Sequence, residues 1–150
     1  SPSVFFFKSF DSEILGLKTT NGVRVLSSLS NSKYVYAVGA NNVLQTGLML
    51  HKKYSENDSN IYIIASHATA DEDFSCAVFL KNIIMTGDMP DVAAISSFSL
   101  GVHKSEAANK FYGNNNHLFS DLNLASTVLN YPPTIVDFTS SFLPFLHIKK

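Results

Sequence analysis

Two neighbouring segments in the first half of the chain are apolar on both faces when they are drawn as extended strands. Residues 33–39 place Tyr34, Tyr36 and Val38 on one face and smaller apolar side chains on the other. Residues 43–50 are apolar in the same two-sided way. Because strands of this kind are typical of sheets covered on both sides, the pattern predicts a sheet with a cover on each face.

Other segments add to this predicted sheet. The pair Asn21-Gly22 is typical of a type I′ hairpin turn, because both central residues of that turn need positive φ. Aromatic and β-branched side chains favour strands in the flanking segments and further along the chain. The additional predicted strands are residues 4–10, 14–18, 23–29, 61–65 and 92–100.

A helical period begins at residue 71. Apolar side chains recur at intervals of three and four residues over 71–85, which predicts a helix of about four turns. Three acidic residues open this segment, Thr69 is a candidate N-cap, and Gly87 stands where a terminating glycine is expected. Weaker patterns predict helices over 105–112 and 118–129.

The predicted fold class is therefore α+β. We expect an antiparallel sheet of about six strands, with one or two helices on one face and the other face used for dimerisation. Residues 1–150 are expected to form a single domain, in which 114–150 are a C-terminal extension of unassigned packing. The predicted dimer interface is Tyr34, Tyr36, Val38, Leu44 and Leu48, and the rival cover for that face is the C-terminal segment of the chain.

The composition supports a domain that hides part of its surface. Charged residues make up 15% of the 150 residues and apolar residues 45%, with a formal net charge of −1. This balance excludes a disordered chain and argues against a nucleic-acid binder, which needs a basic face. No apolar run is long enough to predict a membrane span. One cysteine, Cys76, suits a reducing compartment, so we expect a cytoplasmic and also a nuclear location.

Candidate catalytic groups are few. His67, Asp71 and Asp73 could form a metal or acid–base cluster, but acidic residues at this place are more typical of a helix N-terminus. Cys76 lies within the helical pattern and is expected to be an inert core residue. The five histidines share no ligand spacing. The sequence therefore predicts no metal, no cofactor and no catalytic residue.

The order of these segments resembles the small proteasome assembly chaperones, the third and fourth members in the mammalian naming and their fungal counterparts. The resemblance covers roughly residues 13–110 and depends on Lys33-Tyr-Val-Tyr-Ala-Val-Gly39, on the segments 43–50, 61–66 and 71–74, and on the strand 92–98. Its closest local match is Val78-Phe-Leu-Lys-Asn-Ile-Ile84.

This resemblance implies a protein that is not an enzyme. It would dimerise with a paralogous chaperone subunit, or with a second copy, and would bind a proteasome α subunit during assembly of the α ring. The exposed candidates for the client contact are Lys52, Lys53, Asn114 and His117.

Two alternatives remain open. A scaffold module of the roadblock or longin type also dimerises through a sheet, although such modules usually have a long helix between their second and third strands. An unrecognised hydrolase would use His67, Asp71 and Asp73.

Overall fold

Helices form most of the architecture. The computed structural model describes residues 22–56, 60–67, 69–112, 116–138 and 145–147. The helices in these ranges are α1 (Gly22–Ser28), α2 (Val43–Tyr54), α3 (Asp71–Thr86), α4 (Val92–His103), a 3₁₀ helix (Ala107–Phe111) and α5 (Asn116–Ser126). The strands are β1 (Tyr36–Ala37), β2 (Thr134–Asp137) and β3 (Phe145–His147).

The predicted sheet of about six strands is wrong. In the described part of the chain the sheet has three antiparallel strands in the order β1-β2-β3, and β2 is central. Residues 43–50 and 92–100 are helical, residues 23–28 belong to α1, and residues 61–65 form neither a strand nor a helix. The predicted strands at 4–10 and 14–18 lie outside the described residues. The fold is a helix-rich α+β arrangement.

Local signals explain where the helices begin and end. The helix predicted over 71–85 is confirmed as α3, with three acidic residues in its first turn, although its N-cap is Ala70 and not Thr69. Gly87 ends α3 with φ +70°, as expected of a glycine at this position. Asp91 caps α4, because its side chain accepts a hydrogen bond of 2.7 Å from the Ala94 N–H.

The core lies where successive helices pack against one another. Gly47 lets α2 approach α3 so closely that an added Cβ would lie 2.6 Å from Ile83 Cγ2. Phe79 of α3 stacks on Phe98 of α4 with ring centroids 4.9 Å apart. Leu122 of α5 is buried in the same cluster. This core therefore draws its side chains from helices of both halves of the chain.

The sheet is joined to α2 by Asn42. Its side-chain amide donates to the Ala37 carbonyl and to Thr134 Oγ1, and its Oδ1 accepts from the Gly39 N–H. Because Asn42 is buried and bonded on both sides, it fixes β1, β2 and the start of α2 together. Among the described helices, none is long and apolar enough to cross a membrane.

Candidate functional site

A cleft of about 740 Å³ opens between α1, the β1 segment, the extended residues 60–66 and α3. Its volume lies within the range of small-molecule sites in proteins. Apolar side chains of α1 and α3 form much of its wall, and the polar groups are contributed mainly by the two extended segments. The polar or titratable lining residues are Ser32, Lys33, Tyr34, Tyr36, Tyr54, Asn60, Tyr62, Ser66, Asp73 and Cys76.

A carboxylate fixes one wall of this cleft. Asp73 Oδ2 accepts hydrogen bonds from the Ser66 N–H at 2.8 Å and from the Ser66 hydroxyl at 2.6 Å. Hydrogen bonds to an ionised acceptor are among the stronger ones in proteins, so they anchor the end of the extended segment to the first turn of α3. This anchor fixes one end of residues 60–66, which line the cleft although they belong to no strand.

Two lysines lie close to one tyrosine at the edge of this cleft, where Lys33 and Tyr34 belong to the lining and Lys53 lies just outside it. The Lys53 ammonium lies 4.1 Å from the centroid of the Tyr34 ring, and the Lys33 ammonium lies 5.5 Å from the same centroid. Lys53 also lies 5.2 Å from the Tyr54 ring and donates a hydrogen bond of 3.4 Å to the Tyr36 hydroxyl. We call Lys33, Tyr34, Tyr36, Lys53 and Tyr54 the lysine–tyrosine cluster.

The lysine–tyrosine cluster keeps a positive charge at the edge of the cleft. Hydrogen bonds to Tyr54 and Tyr36 raise the pKa of Lys53 above its usual value. The ammonium therefore stays protonated throughout the neutral range. Two cations beside phenolic hydroxyl donors form an arrangement that attracts anions such as phosphate or sulfonate.

Cys76 lines the cleft but is poorly suited to nucleophilic attack. Burial, and secondly the negative charge of Asp73, raises the pKa of its thiol to about 11. Since the thiolate is the reactive form, the thiol is almost entirely unreactive near pH 7. The apolar surroundings that raise the pKa also make this side chain part of the packing below the cleft.

The candidate cluster of His67, Asp71 and Asp73 has separate partners. His67 Nδ1 lies 3.2 Å from Thr69 Oγ1, while Asp73 is bonded to Ser66. No group of three His, Cys, Asp or Glu side chains in the described ranges could hold a metal ion.

The predicted dimer interface is divided between two environments. Tyr34, Tyr36 and Val38 line the cleft. Leu44 is buried in the core from α2, and Leu48 packs against that core from the same helix. The strand that was expected to hold both leucines is absent. Use of these residues in a dimer remains a prediction.

The predicted client contacts are also separated. Lys52 and Lys53 are exposed in the last turn of α2. Asn114 lies outside the described residues, and for His117 the structure describes only the backbone, in α5. Lys53 belongs to the lysine–tyrosine cluster and contacts the tyrosines described above.

Sequence reasoning missed the site roles of Lys33, Tyr54 and Ser66. A usable signal was the pairing of Lys with Tyr in two segments, Lys33-Tyr34 and Lys53-Tyr54. The contact between Ser66 and Asp73 has no comparable signal, because it depends on how the loop before α3 folds back.

Comparison with known proteins gives one informative match. The chain is 33% identical over 102 residues to a protein of Bacillus subtilis (strain 168) named "Probable 2-phosphosulfolactate phosphatase". The match covers 68% of this chain and 43% of the relative, so the chain spans less than half the length of that protein. No protein-family model matches the chain. No solved structure matches it.

Proposed function

We propose that this protein is a phosphatase-related protein whose cleft binds a small phosphorylated organic acid. The main observation behind the proposal is that the ammonium groups of Lys33 and Lys53 both lie close to the Tyr34 ring at the edge of that cleft. The similarity to a protein named as a phosphatase of 2-phosphosulfolactate supports the same chemistry. That molecule carries several negative charges in a small volume, which suits two neighbouring cations.

The cleft offers different surroundings to the two ends of such a ligand. The phosphate or sulfonate would lie against the lysine–tyrosine cluster, where the hydroxyl groups donate hydrogen bonds to its oxygens. The short carbon skeleton between its charged groups would face the apolar wall formed by residues such as Leu26 and Leu80. The extended residues 60–66 would cover the ligand from the side that Asp73 anchors.

The proposed reaction is hydrolysis of the phosphate ester. A water oxygen forms a bond to phosphorus, the bond between phosphorus and the ester oxygen breaks, and its electron pair goes to the leaving oxygen. The attacking water gives up one proton and the leaving oxygen takes one, so the products are inorganic phosphate and the free hydroxy acid. The two lysines would stabilise the charge that builds on the phosphoryl oxygens.

Binding and turnover can be measured separately. We expect 2-phosphosulfolactate to bind in titration calorimetry, and binding to weaken by about tenfold or more in Lys33→Gln and in Lys53→Gln, since each loses a cation. Lys110→Gln is the matched control, because Lys110 is exposed on the 3₁₀ helix away from the cleft lining. Release of inorganic phosphate should fall in the same two variants.

Three results would overturn all or part of the proposal. Absence of binding by the unaltered protein would exclude the cleft as a phosphate-ester site. Equal binding by Lys33→Gln, Lys53→Gln and Lys110→Gln would place the anion elsewhere. Binding without phosphate release would retain the site and reject the phosphatase activity.

We propose the cytoplasm as the location, in which the single Cys76 would stay reduced.

The proteasome chaperone hypothesis remains a prediction, and so does the roadblock or longin alternative. Both depended on a two-sided sheet, and residues 43–50 and 92–100 of that sheet are helices. We propose an enzyme, whereas the resemblance to the proteasome assembly chaperones implies a protein without catalytic activity. Recovery of a proteasome α subunit with the purified protein, together with failure to bind 2-phosphosulfolactate, would favour the chaperone hypothesis instead.

A further inference from the structure

The outward face of α3 has the residue spacing of a coiled-coil seam. Asp71, Phe74, Val78, Lys81 and Met85 follow one another at intervals of three, four, three and four residues. All five are exposed, and the apolar members are unusually so, with Phe74 at 67%, Val78 at 42% and Met85 at 71%. We call these five residues the α3 seam.

The largest buried side chains of α3 pack on the neighbouring helices. Leu80 and Ile83 face the glycine of α2, and Phe79 stacks on α4. The α3 seam lies on the remaining side of a helix that is 16 residues, or about 24 Å, long. An exposed row of this kind on an otherwise packed helix marks a surface for association.

We propose that the α3 seam binds the α3 seam of a second copy of this chain, with the two helices antiparallel about a two-fold axis. The positions of the charged residues in the α3 seam favour a second copy of the chain as the partner. When Phe74 lies opposite the partner's Val78, the same register brings Asp71 opposite the partner's Lys81. Each contact occurs twice because of the symmetry.

The antiparallel direction follows from the order of charges along α3. Asp71 stands near the N-terminal end of the seam and Lys81 stands ten positions later. A parallel pair would place Asp71 beside the partner's Asp71 and Lys81 beside the partner's Lys81, which repel. The antiparallel pair replaces both repulsions with attractions and keeps Phe74 and Val78 in the middle, while Met85 lies beyond the two charge pairs.

This inference is independent of the proposed function, because no residue of the seam lines the cleft. Sedimentation equilibrium of the 150-residue chain over a range of concentrations is expected to show a reversible dimer. Val78→Glu should abolish it, since two carboxylates would be buried at the centre. Val92→Glu is the matched control: Val92 is 80% exposed on α4 and lies outside the seam, so the variant should dimerise as before.

A charge exchange tests the register. Asp71→Lys should weaken dimerisation about tenfold or more, because two attractive pairs become repulsive. Adding Lys81→Asp to the same protein should restore the association constant to within about threefold. Both variants lack Asp71, one of the three acidic residues in the first turn of α3, so the loss of helix stability from that change is shared and circular dichroism can confirm it.

Three outcomes would overturn the inference. The first is a monomer at every concentration. The second is a dimer that Val78→Glu leaves intact, which would place the interface on another surface. The third is a double variant that dimerises as weakly as Asp71→Lys alone, which would exclude the antiparallel register.

Discussion

Two buried polar side chains, Thr46 and Asn42, differ in whether they have hydrogen-bond partners. Thr46 is fully buried on α2, and its hydroxyl has no hydrogen-bond partner in the part of the chain that the structure describes. A buried hydroxyl without a partner loses its hydration and gains nothing in return. Asn42, four residues earlier, is buried too but bonded on both sides of its amide.

We expect Thr46→Val to stabilise the protein by about 1 kcal/mol, since valine keeps the shape and removes the unpaired hydroxyl. Urea unfolding followed by circular dichroism would show a higher midpoint with an unchanged slope. Thr46→Ser is the control, because it keeps the hydroxyl and removes a methyl group, and it should lower the midpoint. A destabilised Thr46→Val would contradict the interpretation and indicate that the hydroxyl is hydrogen-bonded in solution.

At the scale of elements, α3 could be predicted from the sequence but α2 and α4 could not. In α3 the acidic start, the apolar period and Gly87 agree with one another. Residues 43–50 form a short apolar run, in which a buried helix and a buried strand look alike. The decisive feature is Gly47, whose missing side chain lets α2 lie against Ile83. That contact is between segments far apart in sequence, so local patterns carry no sign of it.

The C-terminal end of α3 depends on Gly87 for two reasons. Its φ of +70° is unfavourable for residues with a side chain, and an added Cβ would overlap the His51 ring. His51 cannot easily move, because its Nδ1–H donates a hydrogen bond of 2.8 Å to the Ile84 carbonyl.

We therefore expect Gly87→Ala to lower the free energy of unfolding by about 2 kcal/mol. Gly39→Ala is the control, since an added Cβ there would have Asn41 Oδ1 at 3.4 Å and no positive φ to oppose it. That variant should change stability by less than about 0.5 kcal/mol. Equal losses in the two variants would show that the end of α3 adapts to a side chain.

At the scale of the whole molecule, the candidate site was only partly accessible from the sequence. The sequence pattern predicts Tyr34 and Tyr36 as dimer-interface residues, and the structure places both in the lining of the cleft. Their assignment to a dimer interface followed from a two-sided sheet, and the structure has a short β1 there instead. Lys53 is predicted as an exposed client contact, and it lies exposed in the last turn of α2. Its position over Tyr34 arises only when α2 is a helix that ends beside β1.

The C-terminal third of the described chain is joined to the rest by backbone and side-chain contacts. The Tyr131 N–H donates to the Asn41 carbonyl, the Val136 N–H donates to the Val35 carbonyl, and Leu122 is 4% exposed within the helical core. Such contacts bind the beginning and the end of the described fold into one cooperative unit. Removing any of these contacts should therefore destabilise the cleft as well as α5.

We expect Leu122→Ala to lower the free energy of unfolding by about 3 kcal/mol, the usual cost of a cavity at a fully buried leucine. Phe119→Ala, at a position of α5 that is 44% exposed, should cost much less. Several tyrosines line the cleft. The near-ultraviolet circular dichroism signal of the tyrosines should be lost at the same denaturant concentration as the far-ultraviolet signal of the helices. If Leu122→Ala instead shifted the helical transition and left the tyrosine transition in place, α5 and the cleft would unfold separately, and the single cooperative unit would be disproved.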